Sequence, residues 1–324
     1  MKKYINHLLL LIIATVLMFV GCGKQPKPAA DNAKISVVAT IFPPYDFARA
    51  VAGDKADIAM LLPPGSESHS FEPRPQDIVK IKKSGVFIHV GGESDAWVKD
   101  ILKSVDNPGM KVVTLMDCVE AVEEEIVEGM QSEEGAGGGG DGGGGAGGPE
   151  YDEHVWTSPR NAKLIVMKIS EALREADPAN ADVYRENTEA YLSQLDGLDA
   201  KFKGAVDSAA RRTIVFGDRF PFRYFADAYG LKYFAAFPGC ATETEASAKT
   251  VAFLIGKIKR EKIPVVFHIE LSNEKMAAAI AEATGAKARL LHSCHNVSKA
   301  DFESGKTYLD FMAANADALR EALK

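Results

Sequence analysis

Hydrophobic positions fall in short blocks separated by stretches of helical spacing. The β-branched run KISVVAT, residues 34–40, predicts a buried strand, and further strands are expected at 56–62, 85–90 and 111–115. Residues 43–53 read as a loop leading into a helix, and 76–84 and 93–104 as helices. Ser158-Pro159 places an N-cap before proline at the first helical position, and Asp177-Pro178 ends that helix. Residues 180–207 then run with few breakers, enough for a helix of roughly 40 Å. Beyond it the alternation restarts. Strands are expected at 212–216, 231–237, 265–269 and 288–292, and helices at 221–229, 250–262, 274–285 and 305–323. Strands alternating with helices predict an α/β fold of two doubly wound lobes, 34–179 and 208–324, with mostly parallel central sheets. One long helix, 180–207, joins them.

The pattern stops between 120 and 150. That segment is first acidic and then almost pure glycine (GAGGGGDGGGGAGG), and it predicts a mobile loop. The chain opens with Lys2 and Lys3, an apolar run from about Leu8 to Val20, and Gly21-Cys22. These are the marks of a secretory signal over 1–21, too short for a transmembrane helix. A polar tether is expected over 22–33. About 300 residues remain, enough for two lobes. The 38 Lys and Arg against 45 Asp and Glu give a formal charge of −7, which argues against nucleic acid as a partner. A monomer is expected. Cys118, Cys240 and Cys294 follow Cys22, too few for a disulfide scaffold. Cys240 and Cys294 lie in loops after strands of the second half. They could form a disulfide or act as thiolate ligands, and export favours the disulfide. Cys118 reads as a small core residue.

Six histidines remain outside the signal: His69, His89, His154, His268, His292 and His295. Most lie at or beyond the ends of predicted strands, where open α/β sheets bind ligands. Imidazole with carboxylate or thiolate suits Zn2+ and its first-row neighbours. No pair has a diagnostic local spacing. His89, inside an apolar strand, reads as a hydrogen-bonded core residue.

Two stretches then narrow the choice: GSESHSFEP at 65–73 and DEHVWTSP at 152–159. Together they resemble the signature loops of the zinc- and manganese-binding solute-binding lipoproteins of bacterial ABC importers. Val20-Gly21-Cys22 resembles the lipobox of those lipoproteins. The resemblance covers essentially the whole mature chain. It implies a rigid helix between lobes, a metal site in the cleft, and a chain anchored outside the cytoplasmic membrane by lipid on Cys22. It also implies a membrane permease and its ATPase as partners. On the same resemblance His69 and His154 are metal ligands from the first lobe.

The second lobe departs from the family pattern. Arg219 stands where the family has a third histidine, and arginine cannot ligate. His292 stands where the family has an aspartate, and Glu270 matches a family glutamate. His292 is therefore taken as the first second-lobe ligand, with Glu270 and His295 next and Asp218 and His268 as further candidates. A histidine-rich set favours Zn2+, with Mn2+ the alternative, and affinity should fall as pH drops through the imidazole range. The glycine-rich loop lacks the histidines that zinc-binding relatives often carry there, and reads as a solvated linker. Two other readings are a surface adhesin or structural lipoprotein with an altered site, and a zinc hydrolase. No hydrolase motif surrounds His69, so an enzyme is not expected.

Overall fold

The run ISVVA forms β1, Ile35–Ala39, and its last three residues are fully buried. It pairs in parallel with β2, Ala56–Met60, on one side and β3, Val86–His89, on the other. β4, Lys111–Thr114, adds to β3 in parallel, giving the order β2-β1-β3-β4. β3 (VFIH) is buried throughout, as a central parallel strand covered on both faces must be. Residues 34–67, 71–130, 150–241 and 245–324 are described by this computed structural model. His69, Cys22, the signal, the tether and residues 131–149 of the glycine-rich segment lie outside them.

The second half repeats the scheme with shorter strands. β5, Thr213–Val215, pairs in parallel with β7, Lys232–Phe234, and β9, Val265–His268, pairs in parallel with β10, Lys287–Leu290. A parallel bridge between Phe216 and Phe267 joins the two pairs. β6, Arg219–Phe220, and β8, Phe237–Pro238, form a further two-residue parallel pair that sequence periodicity does not reveal.

Two expectations change. The segment after β1 is not a loop: the helix Phe42–Ala52 starts at once. Its prolines fall in the first turn, where a missing N–H leaves no intrahelical bond unmade. The helix ends at Gly53, whose φ of 56° suits glycine. The acidic stretch before the glycine-rich segment is also not free. Glu124 N–H donates to Glu150 O at 2.8 Å, and Asp152 N–H to Val122 O at 2.9 Å. Glu124 Oε1 accepts from Cys240 N–H at 3.1 Å, and Glu125 Oε2 accepts from Tyr233 O–H at 3.1 Å. These carboxylates meet specific donors of the second half, which a reading of composition cannot show.

The helix Pro159–Ala176 is followed by the long helix Ala181–Asp207, 27 residues and about 40 Å. Its buried positions Tyr184, Thr188, Tyr191, Leu195, Leu198 and Phe202 alternate in steps of four and three, one helical stripe. That stripe packs on Phe42–Ala52 and Pro159–Ala176 from the first half and on Tyr308–Ala322 at the chain end. One continuous apolar core runs from Val37 to Leu323, and Ile35–Lys324 packs as one unit. Among the described residues no helix is long and apolar enough to cross a membrane.

Candidate metal centre

The carboxyl ends of β2, β6, β8, β9 and β10 open on one cleft. Its walls include Glu67, His154, Arg219, Glu270, His295 and Asn296. It leaves about 30 Å³ for a water-sized body. That holds a single ion or a water or two, and is far below the several hundred Å³ of an organic-substrate pocket. A larger surface groove of about 550 Å³ lies between the helices Pro159–Ala176 and Ala181–Asp207, but no histidine or cysteine lines it.

His154 is fully buried at the start of the short helical turn Val155–Thr157. Asp152 Oδ1 accepts from its backbone N–H at 2.7 Å and faces its Nδ1 at 3.1 Å. A carboxylate can only accept, so Nδ1 carries the proton and Nε2 keeps the lone pair that a metal needs. Burial acts to lower the imidazole's pKa. The charge of Asp152, with Glu153 and Glu124, outweighs that and holds it above the usual histidine value. Gly239 packs on this ring: a Cβ there would lie 3.2 Å from His154 Nδ1 and 2.9 Å from Phe220 O.

His295 meets His154 edge to face, ring centroids 5.1 Å apart, and Trp156 at the same distance. Its loop is held from three sides. Glu270 accepts from Ser293 N–H at 2.7 Å, Ser293 O–H at 2.6 Å and His295 N–H at 3.0 Å. Trp156 Nε1–H donates to Ser293 O at 2.8 Å, which ties the 152–159 motif to this loop. Asn315 exchanges two hydrogen bonds with the backbone of His292.

Several expected ligands are placed elsewhere. His292 does not line the cleft. Its Nδ1 accepts from Cys294 N–H at 3.0 Å, and its ring stacks on Phe311 at 4.0 Å, so it builds the loop. Burial holds its pKa down, against the charge of Glu270. Asp218 accepts from Arg219 N–H and Ile269 N–H, which commits its carboxylate to the backbone. His268 Nδ1 faces its neighbour's carbonyl, Ile269 O, at 3.2 Å and stays outside the cleft. Cys240 and Cys294 are free thiols, as is Cys118, so the expected disulfide is not formed. Cys294 is sealed in the main core, where burial pushes its pKa far up. Burial, with Asp152 and Glu124 close by, does the same to Cys240. Neither environment favours a thiolate.

Arg219 reaches into the cleft, its Nη1–H donating to Ala241 O at 3.2 Å and its Nη2 lying 3.5 Å from Glu67 Oε2. Among the described residues no three His, Cys, Asp or Glu side chains gather closely enough to hold a metal by themselves. The cleft therefore offers two adjacent imidazoles and a loop-bound carboxylate, beside the segment that runs on to His69. Sequence reasoning missed Asp152 as the partner of His154 and Asn296 as a wall of the cleft. The Asp-x-His spacing was the available signal for the first.

Residues 37–322 match the family model described as the zinc-uptake complex component A, periplasmic. The high-affinity zinc uptake system protein ZnuA of Bacillus subtilis is 31% identical over 97% of both chains. The zinc-binding lipoprotein AdcA of Streptococcus pneumoniae is 28% identical over 97% of this chain, which spans 60% of that protein's length. The solved Zn(II)-bound ZnuA-like domain of AdcA superposes with a TM-score of 0.73 at 25% identity, over 90% of this chain and 99% of that one. The chain belongs to the family of periplasmic A components of zinc-uptake complexes.

Proposed function

We propose that this chain is an extracytoplasmic receptor that captures one divalent transition metal, zinc in preference to manganese, as cargo. It hands the ion to an ABC importer, a permease driven by an ATPase, while lipid on Cys22 keeps it at the membrane. The observation that carries this reading is the pair His154 and His295, edge to face in a cleft sized for an ion, with Asp152 fixing the tautomer of His154. His69 supplies the third imidazole on the strength of the GSESHSFEP motif, and Glu270, which accepts from Ser293 and His295, braces the loop that carries His295. Three imidazoles favour zinc over manganese. Arg219 takes no part in ligation and instead pairs with Glu67. The family is the solute-binding component of an uptake system and not an enzyme.

The test uses residues 24–324 purified without a histidine tag. Elemental analysis is combined with equilibrium competition between Zn2+ and Mn2+. The expected result is one tightly held zinc per chain, weakened at least about 100-fold by His69→Ala, His154→Ala or His295→Ala. A chain that retains no metal and binds none in competition, or that prefers manganese, overturns the reading.

A further inference from the structure

Residues 63–66 form a tight turn, Ser66 N–H donating to Pro63 O at 3.1 Å, with Pro64 and Gly65 at its centre. Gly65 has a φ of +83°, which the turn requires and glycine supplies. This turn leads into the segment that bears His69. It is gripped by the loop that bears His295. Asn296, 2% exposed, donates both amide hydrogens across the mouth of the turn, to Pro63 O at 2.9 Å and Ser66 O at 2.8 Å. Its Oδ1 accepts from Val297 N–H at 2.8 Å, and Val297 O accepts from Gly65 N–H at 2.8 Å. Both amide hydrogens of this side chain are thus spent on holding two loops in register, 230 residues apart in sequence, while its Oδ1 braces its own loop.

We infer that Asn296 is a positioning residue for metal capture: it fixes its own neighbour, His295, against the 63–66 turn at the cleft. The inference rests on the reading of the cleft as a zinc site. A polar group buried at 2% exposure with all its partners made is well ordered, and its amide geometry admits one arrangement of the two loops. The cost of ordering the 63–66 turn against the loop of His295 is then met during folding, before an ion arrives. Asn296 touches no metal in this scheme and acts only through the two loops.

The experiment compares wild type with Asn296→Asp and Asn296→Ala in the soluble chain. Asp keeps the shape but loses both donors, and Ala removes the group. Zinc affinity is measured by chelator competition, apo-protein melting by calorimetry, and site geometry by the visible absorption of the Co2+-loaded protein. The expected result is a loss of zinc affinity of about 10–100-fold, with an altered Co2+ spectrum in both variants. Zinc affinity within about twofold of wild type overturns the inference. So does a loss accompanied by an unchanged Co2+ spectrum and a matching fall in apo melting temperature, which would mark a purely structural role. If wild-type protein itself holds no zinc, the proposed function fails and this inference falls with it. If wild type binds zinc and the Asn296 variants bind it equally, this inference alone fails.

Discussion

What His154 can do is decided by Asp152. The carboxylate accepts hydrogen bonds from Nδ1–H and the backbone N–H together, so the ring is held in one tautomer and one orientation. Asp152→Asn keeps an acceptor of the same shape but removes the charge, so the ring's basicity and its fixed tautomer both weaken. Zinc affinity should fall about 10–100-fold with little change in folding. Chelator competition and apo melting would check both halves of that statement. At this scale the sequence showed which residue types could ligate, and the structure shows which of them line the cleft. His292 and His295 stand three positions apart in one irregular loop, where no periodicity tells which ring faces a cleft. Stacking on Phe311 and the bond from Cys294 N–H settle that His292 turns inward. Asp218 was lost as a ligand for a related reason: two backbone donors, invisible in the sequence, already occupy it.

The strands of three to five residues and most of the longer helices were legible, because burial on both faces of a parallel sheet leaves continuous apolar runs and the intervening helices leave stripes. β6 and β8 were not, since two residues carry no period, yet β6 is the element that aims Arg219 into the cleft. The loop after β10 depends on how β10 and the last helix, Tyr308–Ala322, are held together. Arg289 Nε and Lys287 Nζ of β10 meet Glu321 of that helix at 2.9 and 2.8 Å. Arg289 and then Lys287 hold the Glu321 carboxyl down to about 2. A folded-state pKa below the unfolded value means the pairing stabilises above the ordinary carboxylate pKa of about 4.3. That stabilisation is lost as pH falls toward about 2. Glu321→Gln should therefore flatten the acid limb of stability in that window and change little at pH 7 beyond the modest worth of surface pairs. Urea unfolding measured from pH 2 to 7 would show it. An unchanged acid limb would mean that these pairs contribute nothing.

Across the whole molecule the continuous core constrains how a metal can be captured. The long helix buries Tyr184, Leu195 and Phe202 against helices from both ends of the chain, and the apolar core runs unbroken from Val37 to Leu323. Polar bonds add to this near the cleft: Trp156 to Ser293, Asn296 to Pro63 and Ser66, and Tyr308 O–H to Trp156 O at 2.8 Å. A wide hinge opening of the kind seen in clamshell receptors would have to break all of these and expose buried aromatic surface, at about 25 cal/mol for each Å². Capture should instead be confined to the loops around the cleft. Solution scattering of the soluble chain should give a radius of gyration near 19 Å, with apo and zinc-loaded values within about 0.5 Å of each other. Hydrogen exchange should slow on zinc binding around residues 63–67 and 292–297 and stay unchanged along the long helix. A contraction of several Å, or zinc-dependent protection spreading through Ala181–Asp207, would show that the two halves do separate and that the shared core is not the constraint it is taken to be here.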